Sequence, residues 1–156
     1  MRVLVLALAL VAFGPPSLES FGEAGAQDKP PRVLDLLEES GHQYEKAGNG
    51  FAVKFNGNNL KDIRIIVIQA GEVIVLGSVL VPGTEVADAA GLQAALLRAN
   101  DDYDYVKTTL DNDGDYAIRM DLIAPGLTGK QLAAQLVQIA TAADLLKPVV
   151  DKFRKK

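Results

Sequence analysis

The densest run of metal-ligand oxygens in the chain is Asp111-Asn112-Asp113-Gly114-Asp115, and closely spaced carboxylates of this kind are what a calcium loop presents. The spacing is wrong for an EF-hand, which needs glycine at its sixth position and a carboxylate at its twelfth; here Gly114 is fourth and Leu122 twelfth. Asp and Gly suit tight-turn dihedrals directly, so the run predicts a hairpin. Asp101, Asp102 and Asp104 could form an acid/base or metal cluster, but they interleave with Tyr103 and Tyr105 at a helix-to-strand junction and read as a solvated edge. His42 is the single imidazole, which excludes a histidine-rich zinc site. A serine triad would have to combine His42 with Ser40 or Ser78 without a G-x-S-x-G turn. Asn49-Gly50 and Asn56-Gly57 lack the Lys-Ser/Thr that follows a phosphate-cradling loop, so both read as turns. The absence of cysteine removes thiolate metal sites, cysteine nucleophiles and disulfides. The expectation is a protein with no catalytic residue, no cofactor and no metal, whose work is contact.

The chain opens with Met1-Arg2, an apolar run over residues 3–13 and Gly14-Pro15-Pro16. This predicts a secretory signal peptide over 1–26, cleaved after the small-x-small pattern Ala24-Gly25-Ala26, with Ala24 and Ala26 filling the peptidase pocket. Eleven apolar residues make roughly 17 Å of helix against about 30 Å of hydrocarbon, so no stable membrane anchor is expected after processing. Twin arginines are absent, which favours the general export route and a periplasmic or secreted protein. Residues 27–156 carry 15 Lys and Arg against 18 Asp and Glu, an acidic balance that argues against nucleic-acid binding.

Beyond a short exposed lead at 27–31, residues 32–156 read as one domain. Val33, Leu36 and Leu37 before Gly41 predict a two-turn amphipathic helix. Segments 44–46 and 51–55 flank Gly48-Asn49-Gly50 as a hairpin, with Phe51, Val53 and Phe55 on one face. After the polar loop 56–59, residues 63–69 and 72–81 form two long apolar strands, and Pro82-Gly83 ends the second. Thr84 is the expected N-cap of a helix running to about Asn100, with Ala89, Leu92, Leu96 and Ala99 as its apolar stripe and Gly91 an interior cost. Segments 103–110 and 115–123 flank the Asp111–Gly114 turn, with Tyr116, Ile118, Met120 and Leu122 inward. Thr128 caps a last helix whose stripe is Leu132, Leu136, Ile139, Ala143 and Leu146. Pro148 is expected to weaken its end, and the basic residues Lys152, Arg154, Lys155 and Lys156 to favour its carbonyl pole. The fold class is α+β, a single antiparallel sheet with helices in the order α-ββββ-α-ββ-α.

The pattern Leu36-Leu37-Glu38-Glu39-Ser40-Gly41 leading to Tyr44, the stretch 96–100 after the paired strands, the 111–115 turn with its alternating strand, and the closing helix 127–146 resemble the YbjN-type family. That family is described as sensory transduction regulators and shares the fold of type III secretion chaperones. The resemblance covers most of residues 32–156. It implies a small, frequently dimeric α+β module that works by binding protein and has no family active site to carry over. The export signal departs from the usual cytosolic members and is at odds with a role in feeding a cytosolic secretion machine.

One feature of the strands bears on function. In 63–68 and 73–76 apolar residues occupy both faces, so either the chain's own helices wrap both sides or another polypeptide covers one. The expected partner is a protein or a second copy of the chain. Ile66, Ile68, Ile74 and Leu76, or the opposite set Ile65, Val67, Val73 and Val75, would line the contact, the pleat deciding which. The rival is a small-ligand carrier or enzyme with a pocket between sheet and helices lined by Tyr44, Tyr103, Tyr105 and Tyr116. A calcium-responsive acidic domain is a third reading, which unchanged melting on adding calcium would remove.

Overall fold

The computed structural model describes residues 32–156. The expected signal segment with Ala24 and Ala26, and the lead 27–31, lie outside the described residues. Helix α1 is Val33–Ser40; it buries Val33, Leu36 and Leu37 and stops at Gly41, whose φ of 73° suits glycine. Strands β1 (Tyr44–Ala47) and β2 (Gly50–Phe55) form the first hairpin, and β3 (Ile63–Ala70) and β4 (Val73–Val81) the second. Helix α2 (Ala89–Ala99), β5 (Lys107–Leu110), β6 (Tyr116–Ile123) and α3 (Gly129–Asp151) complete the expected order.

The strands make one antiparallel sheet in the order β1-β2-β3-β4-β6-β5. Helix α3 lies against β3, β4 and β6, α1 packs on α3 and β3, and α2 touches α3 and β5 at the far edge. Ile65, Val67, Ile74, Leu76, Ile118 and Met120 from the sheet meet Leu132, Leu136, Ile139, Ala143 and Leu146 of α3 in one core cluster, every one of them buried. The five α3 residues are the stripe that the sequence spacing predicts. Thr128 caps this helix, accepting from the Gln131 N–H at 3.2 Å while the Gln131 side chain accepts from the Thr128 N–H at 2.9 Å.

Three boundaries differ from the sequence expectation, each for a tertiary reason. Thr84 is not the cap of α2; Asp88 is, accepting from the Gly91 N–H at 2.9 Å. The chain end occupies the backbone just before it: Ala87 N–H donates to Phe153 at 2.8 Å, and Lys155 N–H to Glu85 at 2.8 Å. The basic tail therefore does more than sit at a helix pole. Arg154 pairs with Glu85, and Lys155 Nζ donates to the Thr84 carbonyl. Gly91 is where it is because a side chain there would meet Phe153 and the capping Asp88 carboxylate.

Strand β5 begins at Lys107, not at residue 103, because Tyr105 takes a left-handed φ of 65° and ends any extended run. Helix α3 passes through Pro148 without stopping. Pro148 has no N–H for the carbonyl of Asp144 one turn back, but that carbonyl accepts from Asn59 Nδ2 at 3.2 Å instead. The polar loop 56–59 is thus part of what holds the last helix.

Candidate functional site

Several of the residues whose types could do chemistry hold local structure. Asp111 Oδ1 accepts from the N–H groups of Asp113 at 3.0 Å and Asp115 at 2.8 Å, which makes the 111–115 run a side-chain-locked hairpin turn. Ser40 Oγ donates to the Leu37 carbonyl at 2.7 Å and accepts from the backbone N–H of His42, while the His42 ring stands edge-on to Phe55. Ser78 is buried on β4. Asp101 and Asp102 donate their N–H groups to Arg98 and Ala99, continuing the end of α2. Among the described residues no group of three or more His, Asp or Glu could hold a metal ion. Among the same residues, no helix is long and apolar enough to cross a membrane.

The four tyrosines of the rival reading do not converge. Tyr44 is on edge strand β1, Tyr105 is 78% exposed, and Tyr116 is buried on β6 beside the opposite edge, where its hydroxyl donates to the Ala89 carbonyl of α2 and accepts from Gln93 Nε2, each at 3.4 Å. A cavity of about 250 Å³ lies between α2 and β5, lined by Gln93, Leu96, Leu97, Thr108 and Tyr116 among others, and it includes none of the other three tyrosines. Partial burial and the Glu38 carboxylate push the Tyr44 hydroxyl up, and burial with Asp102 does the same for Tyr103. Both shifts run away from what a general base needs.

The strand register settles the pleat, and it corrects the expected contact set. Val67 faces Leu76 and Gln69 faces Ile74, so Ile65, Val67, Ile74 and Leu76 share the helix-covered face. Ile74 and Leu76 are buried in the core and cannot line a contact. Ile66 faces Gly77, Ile68 faces Val75 and Ala70 faces Val73. The outward set is therefore Ile66, Ile68, Val73 and Val75, each half-buried and none of them part of the core cluster. Each set expected from the sequence combines two residues from each face, because the two-residue turn at Gly71 pairs even positions of β3 with odd positions of β4. Val79 and Ile123 extend the outward face and are 51% and 66% exposed.

A row of facing residues crosses all six strands on this side: Glu45, Ala52, Ile66, Gly77, Arg119 and Lys107. The small residues Gly77 and Ala117 leave a shallow groove of about 400 Å³ floored by Val75, Gly77, Ala117 and Thr109. A Cβ on Gly77 would meet only the Ile118 carbonyl, at an ordinary 3.6 Å, so the space above it is open. Each margin carries one carboxylate between two cations. Glu45 pairs with Lys54 at 3.2 Å and Arg64 at 3.8 Å, and Asp121 with Arg119 at 2.7 Å and Lys107 at 3.1 Å. The Arg119 hydrogen bond, with Lys107, outweighs partial burial and holds the Asp121 carboxyl below the usual range. These pairs are exposed and add little stability; what they do is fix where the four cations stand. Only their cross-strand placement, which needs the register, brings them together.

The family model described as "Putative bacterial sensory transduction regulator" (YbjN) matches residues 30–152. Comparison with curated proteins found no match. Among solved structures, the chain is similar to YbjN from E. coli, with a TM-score of 0.56, 17% identity, and coverage of 80% of this chain and 93% of that one. It is also similar to the Yersinia pestis type III secretion chaperone SycH in complex with a stable fragment of YscM2: TM-score 0.52, 19% identity, 71% and 96% covered. A third likeness is to the ExoU–SpcU heterodimer of the Pseudomonas aeruginosa type III secretion system: TM-score 0.54, 11% identity, 78% and 99% covered. At these identities the likeness is one of fold, and the fold is that of type III secretion chaperones.

Proposed function

The chain belongs to the YbjN family, and on that footing we propose that it is a non-enzymatic protein-binding module, chaperone-like or regulatory, that holds another polypeptide on the uncovered face of its sheet. The observation that carries this reading is the outward set Ile66, Ile68, Val73 and Val75, beside a groove that Val75 helps to floor, on a sheet face with no helix of the described residues packed on it. An apolar patch of this kind invites association. That several proteins of similar fold were solved as chaperones in complex with protein partners supports the reading without identifying the partner. The N-terminal pattern 1–26 supports export with cleavage after Ala26, and so a periplasmic or secreted site of action.

A pull-down from an envelope extract tests both parts. Wild-type protein is expected to retain a discrete partner that the double variant Ile68→Gln with Gly77→Gln loses, while the two proteins keep the same circular dichroism. The intact mass of protein recovered from that fraction is expected to begin at Gln27. Equal capture by both proteins contradicts the sheet-face reading, and a mass that includes residues 1–26 contradicts processing.

A further inference from the structure

The apolar side chains of the uncovered face gather at one end of the sheet. Ile68 pairs across to Val75, Ala70 to Val73 and Val73 to Ile123, so these residues crowd the end that carries the Gly71 turn. The charges sit elsewhere. Glu45, Arg119 and Lys107 lie level with Ile66 and Gly77, and Lys54, Arg64, Asp62 and Asp111 lie farther from the turn. Among outward strand positions of the described residues only Asp121 reaches into the apolar end, opposite Val75, and there Arg119 at 2.7 Å and Lys107 at 3.1 Å pair with it.

The described chain starts at the same end. Val33 N–H donates to Gln69 Oε1 at 2.8 Å, which fixes the first turn of α1 beside the Gly71 turn on the helix-covered side. Residues 14–31 separate this point from the run 3–13, which consists of Val, Leu, Ala and Phe alone. At about 3.3 Å per residue that stretch reaches up to roughly 60 Å, several times the about 10 Å depth of one sheet layer. The run can therefore pass around the end of the sheet to its uncovered face. Elsewhere the exposed apolar side chains are less concentrated: Leu97 and Leu110 lie by the β5 edge, and Val137 and Leu145 on α3. A segment of the same chain also meets the face at an effective concentration on the order of millimolar, ahead of a free partner.

Resting on the reading of this face as the binding surface, we propose that the face is covered in cis: while residues 1–26 remain attached, the run 3–13 lies over Ile68, Val73, Val75 and Ile123 and excludes the partner. Removal of 1–26 opens the surface, so processing decides where the protein becomes competent to bind.

The chain has no cysteine, so one introduced thiol reports on one surface. Alkylation of Val75→Cys by a water-soluble maleimide is timed in the full chain, in the chain beginning at Gln27, and in the full chain carrying Leu6→Gln with Leu10→Gln. Leu145→Cys, on α3 and 51% exposed, is the control in each. The chain beginning at Gln27 is expected to label at Val75→Cys at least about tenfold faster than the full chain, roughly the effect of burying one aliphatic side chain. The Leu6→Gln with Leu10→Gln protein is expected to match it, and Leu145→Cys to label alike in all three. Protection in the full chain is expected to persist on dilution, as an intramolecular contact requires. Equal rates at Val75→Cys in all three proteins overturn the cover while leaving the sheet face as a binding surface. Protection lost on dilution assigns the cover to another copy, and protection shared by Leu145→Cys assigns it to aggregation; either overturns the proposal. Partner capture unaffected by Ile68→Gln with Gly77→Gln, with Val75→Cys still protected, rejects the binding role of the face and with it the exclusion of a partner.

Discussion

Replacing Leu76 by Ala is expected to lower stability by about 3 kcal/mol, and replacing Ile68 by Ala by less than about 1 kcal/mol. The two residues lie on neighbouring strands, and sequence pattern alone does not separate them. Leu76 is fully buried between Val67 and Met120 beneath α3, so truncation leaves a cavity that a close-packed core fills only partly. Ile68 is half-buried on the far side, beside Val75, and truncation there removes contacts that water can replace. Urea unfolding of the two variants checks the assignment. Equal losses would mean that both faces are covered.

Asp144→Asn is expected to lower Tm by about 5–10 °C at neutral pH, an unusual loss for a change that keeps the side chain's shape. Asp144 is the one buried carboxylate of the described core, and it organises a loop nearly ninety residues away. Its oxygens accept from the backbone N–H groups of Asn58 at 3.1 Å, Asn59 at 2.7 Å and Leu60 at 2.7 Å. An amide offers a single acceptor oxygen to these three donors. Burial opposes ionisation of Asp144, but the N–H groups of Leu60, Asn58 and Asn59, with the Lys61 charge, outweigh it and hold the carboxyl below its usual range. A group whose folded pKa is depressed contributes its stability in full above the unfolded value, about 3.9, and loses it as pH falls through the lower folded value. The Tm difference between wild type and Asp144→Asn is therefore expected to be widest near neutral pH and to shrink below about pH 4. A difference independent of pH would contradict the role given to the carboxylate.

Much of this architecture was legible because local signals and tertiary packing agreed. The Leu132–Leu146 stripe, the Thr128 cap, the Gly41 stop and the 111–115 turn each specify one conformation, and the structure adopts it. The disagreements fall where a distant segment decides. Thr84 lost the cap of α2 to Asp88 because Phe153 and Lys155 take the backbone at 85–87. Pro148 looks like a weak point in the sequence because nothing local indicates that Asn59 caps the orphaned carbonyl. For the candidate surface, two-sided apolarity in β3 and β4 correctly marked the strands, but their pairing across the Gly71 turn fixes which residues share a face. The cation margins were out of reach for the same reason, since Glu45, Lys54 and Arg64 come from three strands.

The central claim is that a polypeptide sits on the uncovered sheet face, and site-specific photo-crosslinking in the native cell addresses it directly. A benzophenone side chain is placed at Ile68 or Val75 on that face, and at Leu97 or Leu145, which are 70% and 51% exposed on the helices. Discrete cross-linked products from 68 and 75, absent from 97 and 145, are the predicted result. Products only from the helix positions, or none from the sheet face, would contradict it.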